Sequence, residues 1–282
     1  MIDYGTYFKL IREGKKISIS KLAQKSMISK SQISRFERGE SEISFSKIVV
    51  LLDSLNVSLG EYVSLFPKKS SIEKIKEEMS QVKSLAKSQD ITSLRKKAKL
   101  LNQNSPEEIF TNILMKSIMH SVDENIYPSQ QEIEYLTDYL FKIEFWTYYE
   151  IILLGNSIRF INLNTSFLLT KELLDSGSKY HSDSPYNKKM IIQLSLNCAI
   201  TCIDANELKH ANFLIKCIEG FITKEFYFFE KSILLYVKGY SEYRANKTDG
   251  MGKMNDALKV FEILDTNGIY KIYNEHFQKL TS

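Results

Sequence analysis

The apolar side chains of the chain recur with the period of an α-helix over nearly its whole length. They lie three and four residues apart in long stretches, whereas the alternating apolar and polar runs of a half-buried strand are few. Only 4 Pro and 11 Gly interrupt the 282 residues. The pattern therefore predicts an all-α fold.

The first 66 residues contain five short amphipathic patterns with polar breaks between them. The second predicted helix has Ser20 as its N-cap, and Gly39 ends the third. In the fifth, Tyr62, Val63 and Phe66 are expected to be buried. The five helices are predicted at residues 4–12, 20–26, 30–38, 44–55 and 59–66.

The third predicted helix has one polar face that carries short side chains and an arginine. Ile33 and Phe36 lie three residues apart and face inward, which leaves the polar residues on the opposite side. Gln pairs with adenine and Arg with guanine in the major groove, while Ser and Lys hold phosphates. We therefore predict that this helix binds DNA. The candidate DNA contacts are Ser29, Lys30, Ser31, Gln32, Ser34, Arg35, Arg12 and Lys21.

The segment LAQKSMISKSQISRFERG resembles the helix-turn-helix of the lambda-repressor-like (XRE, Cro/CI) family. The small Ala23, the connector Ile28, the helical Ile33 and the closing Glu-Arg-Gly fall at the spacing of that family. The alternative is a pair of ordinary amphipathic helices. In this family an arginine at the place of Arg12 pairs with a glutamate, here Glu37, so an internal ion pair competes with phosphate contact for Arg12.

The positive charge of the chain is concentrated in the same segment. Residues 1–69 hold 12 Lys or Arg against 7 Asp or Glu, a net charge of +5, whereas the other 26 basic and 27 acidic residues give −1. Such a basic domain is expected of a protein that binds the phosphates of double-stranded DNA. Because we find no signal-peptide pattern and no apolar run of membrane-spanning length, we expect a cytoplasmic protein with no membrane partner.

The cysteines and histidines do not form a pattern typical of a metal site or a catalytic site. Cys198, Cys202 and Cys217 lie in helical patterns, as expected of reduced thiols in a core. Cys198 and Cys202 are four residues apart, but neither His181 nor His210 has the ligand spacing that zinc needs with them. Because no phosphate loop or nucleophile motif is present, we predict neither an enzyme nor a bound cofactor.

The remainder of the chain is predicted to be a helical connector and a helical-repeat domain. Residues 67–71, Pro-Lys-Lys-Ser-Ser, mark a boundary, and the helix predicted at 72–87 connects two domains or packs on a partner chain. Beyond residue 90, helices of similar length suggest a TPR-like α-solenoid of five pairs, with Ser105 and Glu108 as one capping box. The ten helices are predicted near 91–103, 106–121, 129–143, 146–161, 165–176, 186–204, 207–220, 225–245, 252–265 and 269–280. We thus divide the chain into a DNA-binding domain at 1–66, a connector at 67–90 and a repeat domain at 91–282.

The repeat domain carries polar side chains suited to an extended peptide, whose main chain needs donors and acceptors at intervals. Asn156 and Arg159 lie three residues apart in one predicted helix. Asn197 lies in an otherwise apolar helix, where an amide without a partner is costly, although a bond to a neighbouring carbonyl is an alternative. The aromatic candidates are Tyr149, Tyr236 and Tyr240.

Taken whole, the chain is similar to the Rgg/GadR/MutR family of regulators, among the peptide-pheromone sensors of Gram-positive bacteria. The resemblance rests on the block SQISRFERGESEISF followed by a helical-repeat domain. It implies a homodimer that binds a double-stranded DNA operator and a short peptide pheromone and thereby alters quorum-sensing transcription. It also implies that Asn156, Arg159 and Asn197 lie where peptide-clamping residues would be. The alternative is a helix-turn-helix repressor whose repeat domain only dimerises or binds a protein partner.

Overall fold

The computed structural model describes residues 3–66, 71–101, 108–180, 185–222, 227–264 and 268–281, apart from the side chains of 176–180 and 185–186. Every regular element in these ranges is a helix, which confirms the all-α prediction. The chain divides into two compact units, residues 1–76 and 77–282.

Five helices form the first unit, in the order that the sequence predicts. Ser18 takes an extended backbone conformation and accepts a hydrogen bond from the N–H of Lys21, so Ser18 is the N-cap of the second helix. The predicted cap, Ser20, is wrong because it lies within the first turn of that helix. The five are α1 (Tyr4–Gly14), α2 (Ile19–Ser26), α3 (Lys30–Glu37), α4 (Phe45–Ser54) and α5 (Leu59–Ser64).

Apolar residues from the inner faces of these helices form one core. Tyr62 of α5 is buried in it as predicted, and Phe66 packs against its edge. Val63 is 47% exposed, because in the short helix α5 it lies about 100° around the axis from Tyr62. The buried core residues are Phe8, Leu22, Ile28, Ile33, Phe36, Ile48, Leu51, Leu52, Leu55 and Tyr62.

Two glycines fix the position of α3. A Cβ atom at Gly5 would lie 1.8 Å from the carbonyl oxygen of Phe36, so α1 and α3 approach each other this closely only because residue 5 is glycine. Gly39, which follows α3, has a φ of +69°, a backbone conformation that favours glycine. The predicted end of the third helix is therefore confirmed.

Helix α6 (Ser71–Lys87) matches the predicted connector helix in position. Met79 and Val82 are buried, whereas Ile72, Ile75 and Leu85 are half-buried. The division between the two compact units falls within this helix, after residue 76. The predicted boundary at 67–71 lies outside the described residues except for Ser71.

Ten further helices follow α6 in the described part of the second unit, and each coincides with a predicted helix. A short 3-10 turn, Ile158–Phe160, follows the fourth of them. Ser105 of the predicted capping box lies outside the described residues. The ten are α7 (Ile91–Leu101), α8 (Ile109–Met119), α9 (Gln130–Lys142), α10 (Tyr148–Ser157), α11 (Leu163–Tyr180), α12 (Pro185–Asp204), α13 (Leu208–Phe221), α14 (Phe228–Arg244), α15 (Gly250–Ile263) and α16 (Ile269–Thr281).

Alternate helices of the second unit form a row in which α8 contacts α10, α10 contacts α12 and α12 contacts α14. Gln193 of α12 donates to Glu230 of α14 at 2.9 Å, and further along both helices Tyr240 donates to Asp204 at 2.7 Å. Because both contacts advance in the same direction, α12 and α14 are parallel. Helices α9, α11 and α13 pack against this row, which is the stacking of a TPR-like solenoid.

The contact between α14 and α15 also depends on two glycines. A Cβ atom at Gly239 would lie 2.6 Å from the carbonyl oxygen of Gly250, and one at Gly250 would lie 2.4 Å from the backbone nitrogen of Tyr243. These backbones are thus in direct contact, and a methyl group at either position would force the helices apart.

The cysteines are free thiols, as the sequence predicts. Cys198 and Cys202 are buried, and Cys217 is half-buried. Within the described ranges, no group of three His, Cys, Asp or Glu side chains is arranged to hold a metal ion. No helix in the same ranges has the length and hydropathy needed to cross a membrane.

Candidate functional site

The polar face of α3 is exposed in the first unit, as its spacing predicts. Ile33 is fully buried and Phe36 is 5% exposed, so this side of the helix anchors it to the core. Lys30, Ser31 and Arg35 on the other side are exposed. The helix therefore presents hydrogen-bond donors outward from a fixed backbone.

Two of the other predicted DNA contacts lie at helix starts. Ser29 caps α3 by accepting a hydrogen bond from the N–H of Gln32 at 3.3 Å, and its hydroxyl lies 3.3 Å from that of Ser31. Lys21 is exposed in the first turn of α2. The backbone N–H groups at the start of a helix are suited to phosphate oxygens.

Arg12 forms the internal ion pair that the resemblance to lambda-repressor-like domains implies. Its Nε donates to Oε1 of Glu37 at 2.6 Å, its Nη2 donates to Oε2 of Glu37 at 2.7 Å, and its Nη1 donates to the carbonyl of Ile17 at 2.8 Å. The hydrogen bonds that Arg12 donates to Glu37 raise the pKa of Arg12 above its usual value. Because the Arg12 side chain is 8% exposed, it fixes α3 against α1 and is not available for phosphate contact.

The hydroxyl of Ser34 is already occupied within the first unit. Arg38 donates to it, and the same guanidinium makes two hydrogen bonds to the carboxylate of Glu40, at 2.5 and 2.7 Å. The carboxylate of Glu40 thus offsets the positive charge of Arg38 at the end of α3. Ser34 is therefore less available to DNA than the sequence suggests.

Gln32 is held by a residue that the sequence analysis missed. Lys47, in the first turn of α4, donates from Nζ to Oε1 of Gln32 at 3.0 Å. The exposed position of Lys47 at a helix start is visible in the sequence, but helical periodicity does not show which side chain it reaches. The contact leaves the NH2 group of Gln32 to act as a donor.

The side chains of Lys30 and Arg35 are the unpaired cations among the described residues of this face. Neither side chain makes a hydrogen bond or ion pair with another described residue, although Glu40 lies close enough to Arg35 to interact electrostatically. A guanidinium without a fixed partner is able to bind a guanine edge or a phosphate with two hydrogen bonds.

In the second unit, Asn156 and Arg159 lie at the end of α10. Asn156 is half-buried and donates from Nδ2 to the carbonyl of Ile152 at 2.7 Å, which leaves its Oδ1 to accept. The helix ends at Ser157, so Arg159 belongs to the 3-10 turn that follows and is exposed. The two residues are close along the chain but do not share one regular helical face.

Asn197 is exposed on a polar stripe of α12, whereas the sequence predicts an amide among apolar side chains. The expectation was wrong because α12 buries its other sides and leaves one line of polar positions toward solvent. Thr201 donates to the backbone carbonyl of Asn197 at 3.1 Å. We call this line the α12 stripe; its residues are Lys189, Gln193, Asn197, Thr201 and Asp204.

The aromatic candidates differ in their surroundings. Tyr149 is half-buried, and burial followed by the charge of Glu150 raises its pKa. Tyr236 is fully buried and Tyr240 is 1% exposed, contrary to the expectation that they contact a ligand. Burial raises the pKa of both hydroxyl groups.

The buried hydroxyl groups of these two tyrosines bind other parts of the second unit. Tyr236 donates to the carbonyl of Tyr273 at 3.2 Å and lies 2.8 Å from Nδ1 of His276, both in α16. Tyr240 donates to Asp204 of α12. We therefore assign Tyr236 and Tyr240 to packing.

A cavity of about 290 Å³ lies elsewhere in the second unit, between α7 and the segment that joins α8 to α9. Three of the four charged side chains that line it make ion pairs. Arg95 donates to Asp123 at 2.6 Å, and this bond, with others from Asn125, lowers the pKa of Asp123 to about 2. Lys116 donates to Glu132 at 2.8 Å. The predicted ligand contacts are not among the residues that line it.

Family profiles match segments of both units. A family profile described as the C-terminal domain of the HTH-type transcriptional regulator Rgg matches residues 92–275. The chain belongs to the Rgg family. A second profile, described as a helix-turn-helix, matches residues 8–62 of this Rgg-family regulator.

One solved structure supports this assignment, and two others share the fold. The SHP pheromone receptor Rgg2 of Streptococcus dysgalactiae is 40% identical to this Rgg-family chain, with a TM-score of 0.84 over 98% of this chain and 99% of the other. A putative transcriptional regulator from Listeria monocytogenes shares the fold at 19% identity, with a TM-score of 0.79 over 98% and 96% of the two chains. PrgX in complex with cCF10 does so at 16% identity, with a TM-score of 0.78 over 100% and 93%.

Proposed function

We propose that this Rgg-family regulator reads a specific operator with α3 and responds to a short peptide bound on the exposed side of α10 and α12. In this proposal, residues 1–66 bind DNA and residues 91–282 sense the peptide and dimerise. Residues 67–90 connect these two domains. We infer a cytoplasmic homodimer, whose two DNA-binding domains would bind two operator half-sites.

The DNA part of the proposal rests on the donors of α3 that have no partner among the described residues. Arg35 lies on the side opposite the core and supplies a guanidinium for a guanine edge. Gln32 supplies an amide donor for a second base, and Lys30 with the N-terminal turn of α3 contacts phosphates. Arg12 contributes indirectly, by fixing the helix that carries these groups.

The peptide part rests on one observation, the packing of α10 against α12 beside Asn156 and Asn197. Gly155 of α10 packs against Leu194 of α12, since a Cβ atom at Gly155 would lie 3.5 Å from Leu194 Cδ1. If α10 runs parallel to α12, as α14 does, Asn156 and Asn197 point to the same side. Arg159 lies in the 3-10 turn that follows α10, and Tyr149 lies in the first turn of α10. These amides supply both donors and acceptors for an extended main chain.

The relatives support this reading of the second unit. Rgg2, at 40% identity, is a pheromone receptor, and the PrgX structure is a complex with cCF10. The same fold therefore serves as a receptor in one relative of high identity and binds a ligand in another.

Selection of duplexes from a random DNA library by the full-length protein would supply an operator for the test. Fluorescence anisotropy would then compare the Arg35→Ala variant with the original protein, and analytical ultracentrifugation would give the number of chains per complex. Random octapeptides would be selected on the same protein. A protein that selects a duplex but enriches no peptide would contradict the peptide proposal and favour a repeat domain that only dimerises or binds a protein.

A further inference from the structure

We propose that Glu230 recognises an amine or guanidinium group of the peptide and so sets the direction in which the peptide lies. This inference rests on the proposed function, since it concerns the same side of the second unit. The cationic group of the peptide lies at α14, and its carboxylate lies toward Arg159 at the end of α10.

Glu230 is a buried carboxylate with an unused oxygen. Its side chain is 1% exposed and lies in the first turn of α14. Its Oε1 accepts a hydrogen bond from Nε2 of Gln193 at 2.9 Å and lies 3.5 Å from Nζ of Lys189. Its Oε2 has no hydrogen-bond partner among the described residues. A buried carboxylate oxygen without a donor is unfavourable, so this atom is poised to accept one.

The two residues that reach Glu230 belong to the α12 stripe. Gln193 is half-buried and the Lys189 side chain is 48% exposed, so the carboxylate lies directly beneath the polar line that also carries Asn197. A ligand on the stripe would therefore meet Glu230 as soon as these flexible side chains moved aside. Lys189 is a weak competitor, because 3.5 Å is longer than a strong charge-assisted hydrogen bond.

Arg159 supplies the opposite charge on the other side of Asn197. Arg159 follows α10, Asn197 is near the middle of α12, and Glu230 is at the start of α14, so the three lie on successive helices of the row. Neighbouring packed helices are about 8–10 Å apart, which places the two charges roughly 16–20 Å from each other. An extended chain of about five or six residues has this length.

The chemistry of the two ends follows from this arrangement. A carboxylate with little access to water binds an ammonium or guanidinium group more strongly than an exposed one does. The partner of Glu230 is then the N-terminal amine or a Lys or Arg near that end of the peptide. Arg159 binds the C-terminal carboxylate or an acidic side chain with two hydrogen bonds.

The test begins with the octapeptide enriched from the random library by the full-length protein. This peptide is resynthesised with its amine or basic side chain neutralised, and separately with its carboxylate amidated. Isothermal titration calorimetry measures the binding of each form to the original protein and to the Glu230→Gln, Arg159→Gln and Lys189→Gln variants. Glu262→Gln, an exposed substitution on α15, is the matched control.

We expect Glu230→Gln to weaken binding of the free peptide about ten- to a hundredfold, the loss of one charge-assisted hydrogen bond. Neutralising the peptide amine should weaken binding to the original protein by the same factor. It should cause almost no further loss of affinity in the Glu230→Gln variant. Amidation should likewise lose its effect in Arg159→Gln. Lys189→Gln should strengthen binding several-fold, because the competing cation is removed.

Three results would overturn the inference while leaving peptide binding intact. One is unchanged affinity of Glu230→Gln. Another is that neutralising the peptide lowers the affinity of Glu230→Gln by the same factor as it lowers that of the original protein. Glu230 would then have a purely structural role. Weaker binding to Lys189→Gln would also contradict the inference and does not depend on the folding of the Glu230 variant. Failure of the original protein to enrich any peptide would instead reject the proposed function itself.

Discussion

Removal of the Arg12 guanidinium should loosen the whole DNA-binding unit. In Arg12→Met, the carboxylate of Glu37 loses hydrogen bonds of 2.6 and 2.7 Å, and with 2% of its side chain exposed it gains little water in exchange. Breaking a buried pair by removing one partner costs about 3–5 kcal/mol. A small domain has a free energy of unfolding of about 5–15 kcal/mol, so much of the stability of this unit would be lost.

Hydrogen exchange of the α3 amides in the full-length protein measures this loss directly. Protection of the Ile33 and Phe36 amides should fall by about two to four orders of magnitude in Arg12→Met. The fluorescence of Trp146, the single tryptophan, is a control because this residue is buried in the second unit and should not change.

The double variant Arg12→Met, Glu37→Met provides the refutation. Replacing both partners by apolar groups is often neutral or stabilising, so the double variant should recover most of the protection. A double variant as unstable as the single one would show that the ion pair is not the cause. A single variant within about 0.5 kcal/mol of the original would show that the buried pair does not matter.

Three further predictions concern binding and packing. Arg35→Ala should weaken operator binding by about 1–3 kcal/mol and relax the preference at one base pair. Lys30→Ala should instead weaken binding to all duplexes alike and lower the slope of log affinity against log salt by about one. If Arg35→Ala and the original protein had identical binding profiles across duplexes, Arg35 would not take part in base readout. Asn197→Ala should reduce calorimetric peptide affinity and leave operator affinity unchanged, since the residue is exposed, and an equal loss of both would indicate misfolding. Gly239→Ala should lower the thermal midpoint by several degrees, because its methyl group overlaps the Gly250 carbonyl, and a Gly252→Ala control, with a closest contact of 3.4 Å, should not.

Helical periodicity in the sequence is sufficient to predict the helices and their inner faces. It places α1 to α16 in order and puts Ile33 and Phe36 of α3 in the core, because both depend on local spacing. The resemblance to a known domain adds the Arg12–Glu37 pair, which links residues 25 positions apart. Such a pair has no signature in local spacing alone.

Some of the errors arise where a residue's partner lies on another helix. Tyr236 and Tyr240 have the spacing of a helical face, but only the packing of α16 and α12 shows that their hydroxyl groups are used internally. The amide of Gln32 is oriented by Lys47 from α4, and the approach of α1 to α3 depends on Gly5. Each of these depends on tertiary packing, which a periodic pattern leaves open.

Coupling between the two units is measured by the binding isotherm of the full-length protein on its selected operator, recorded with and without saturating octapeptide. The peptide should change the dissociation constant by at least about fivefold, the usual lower range of coupling between two sites. Superimposable isotherms, obtained with a peptide that calorimetry shows to be bound, would contradict the claim that the two units form a peptide-responsive regulator.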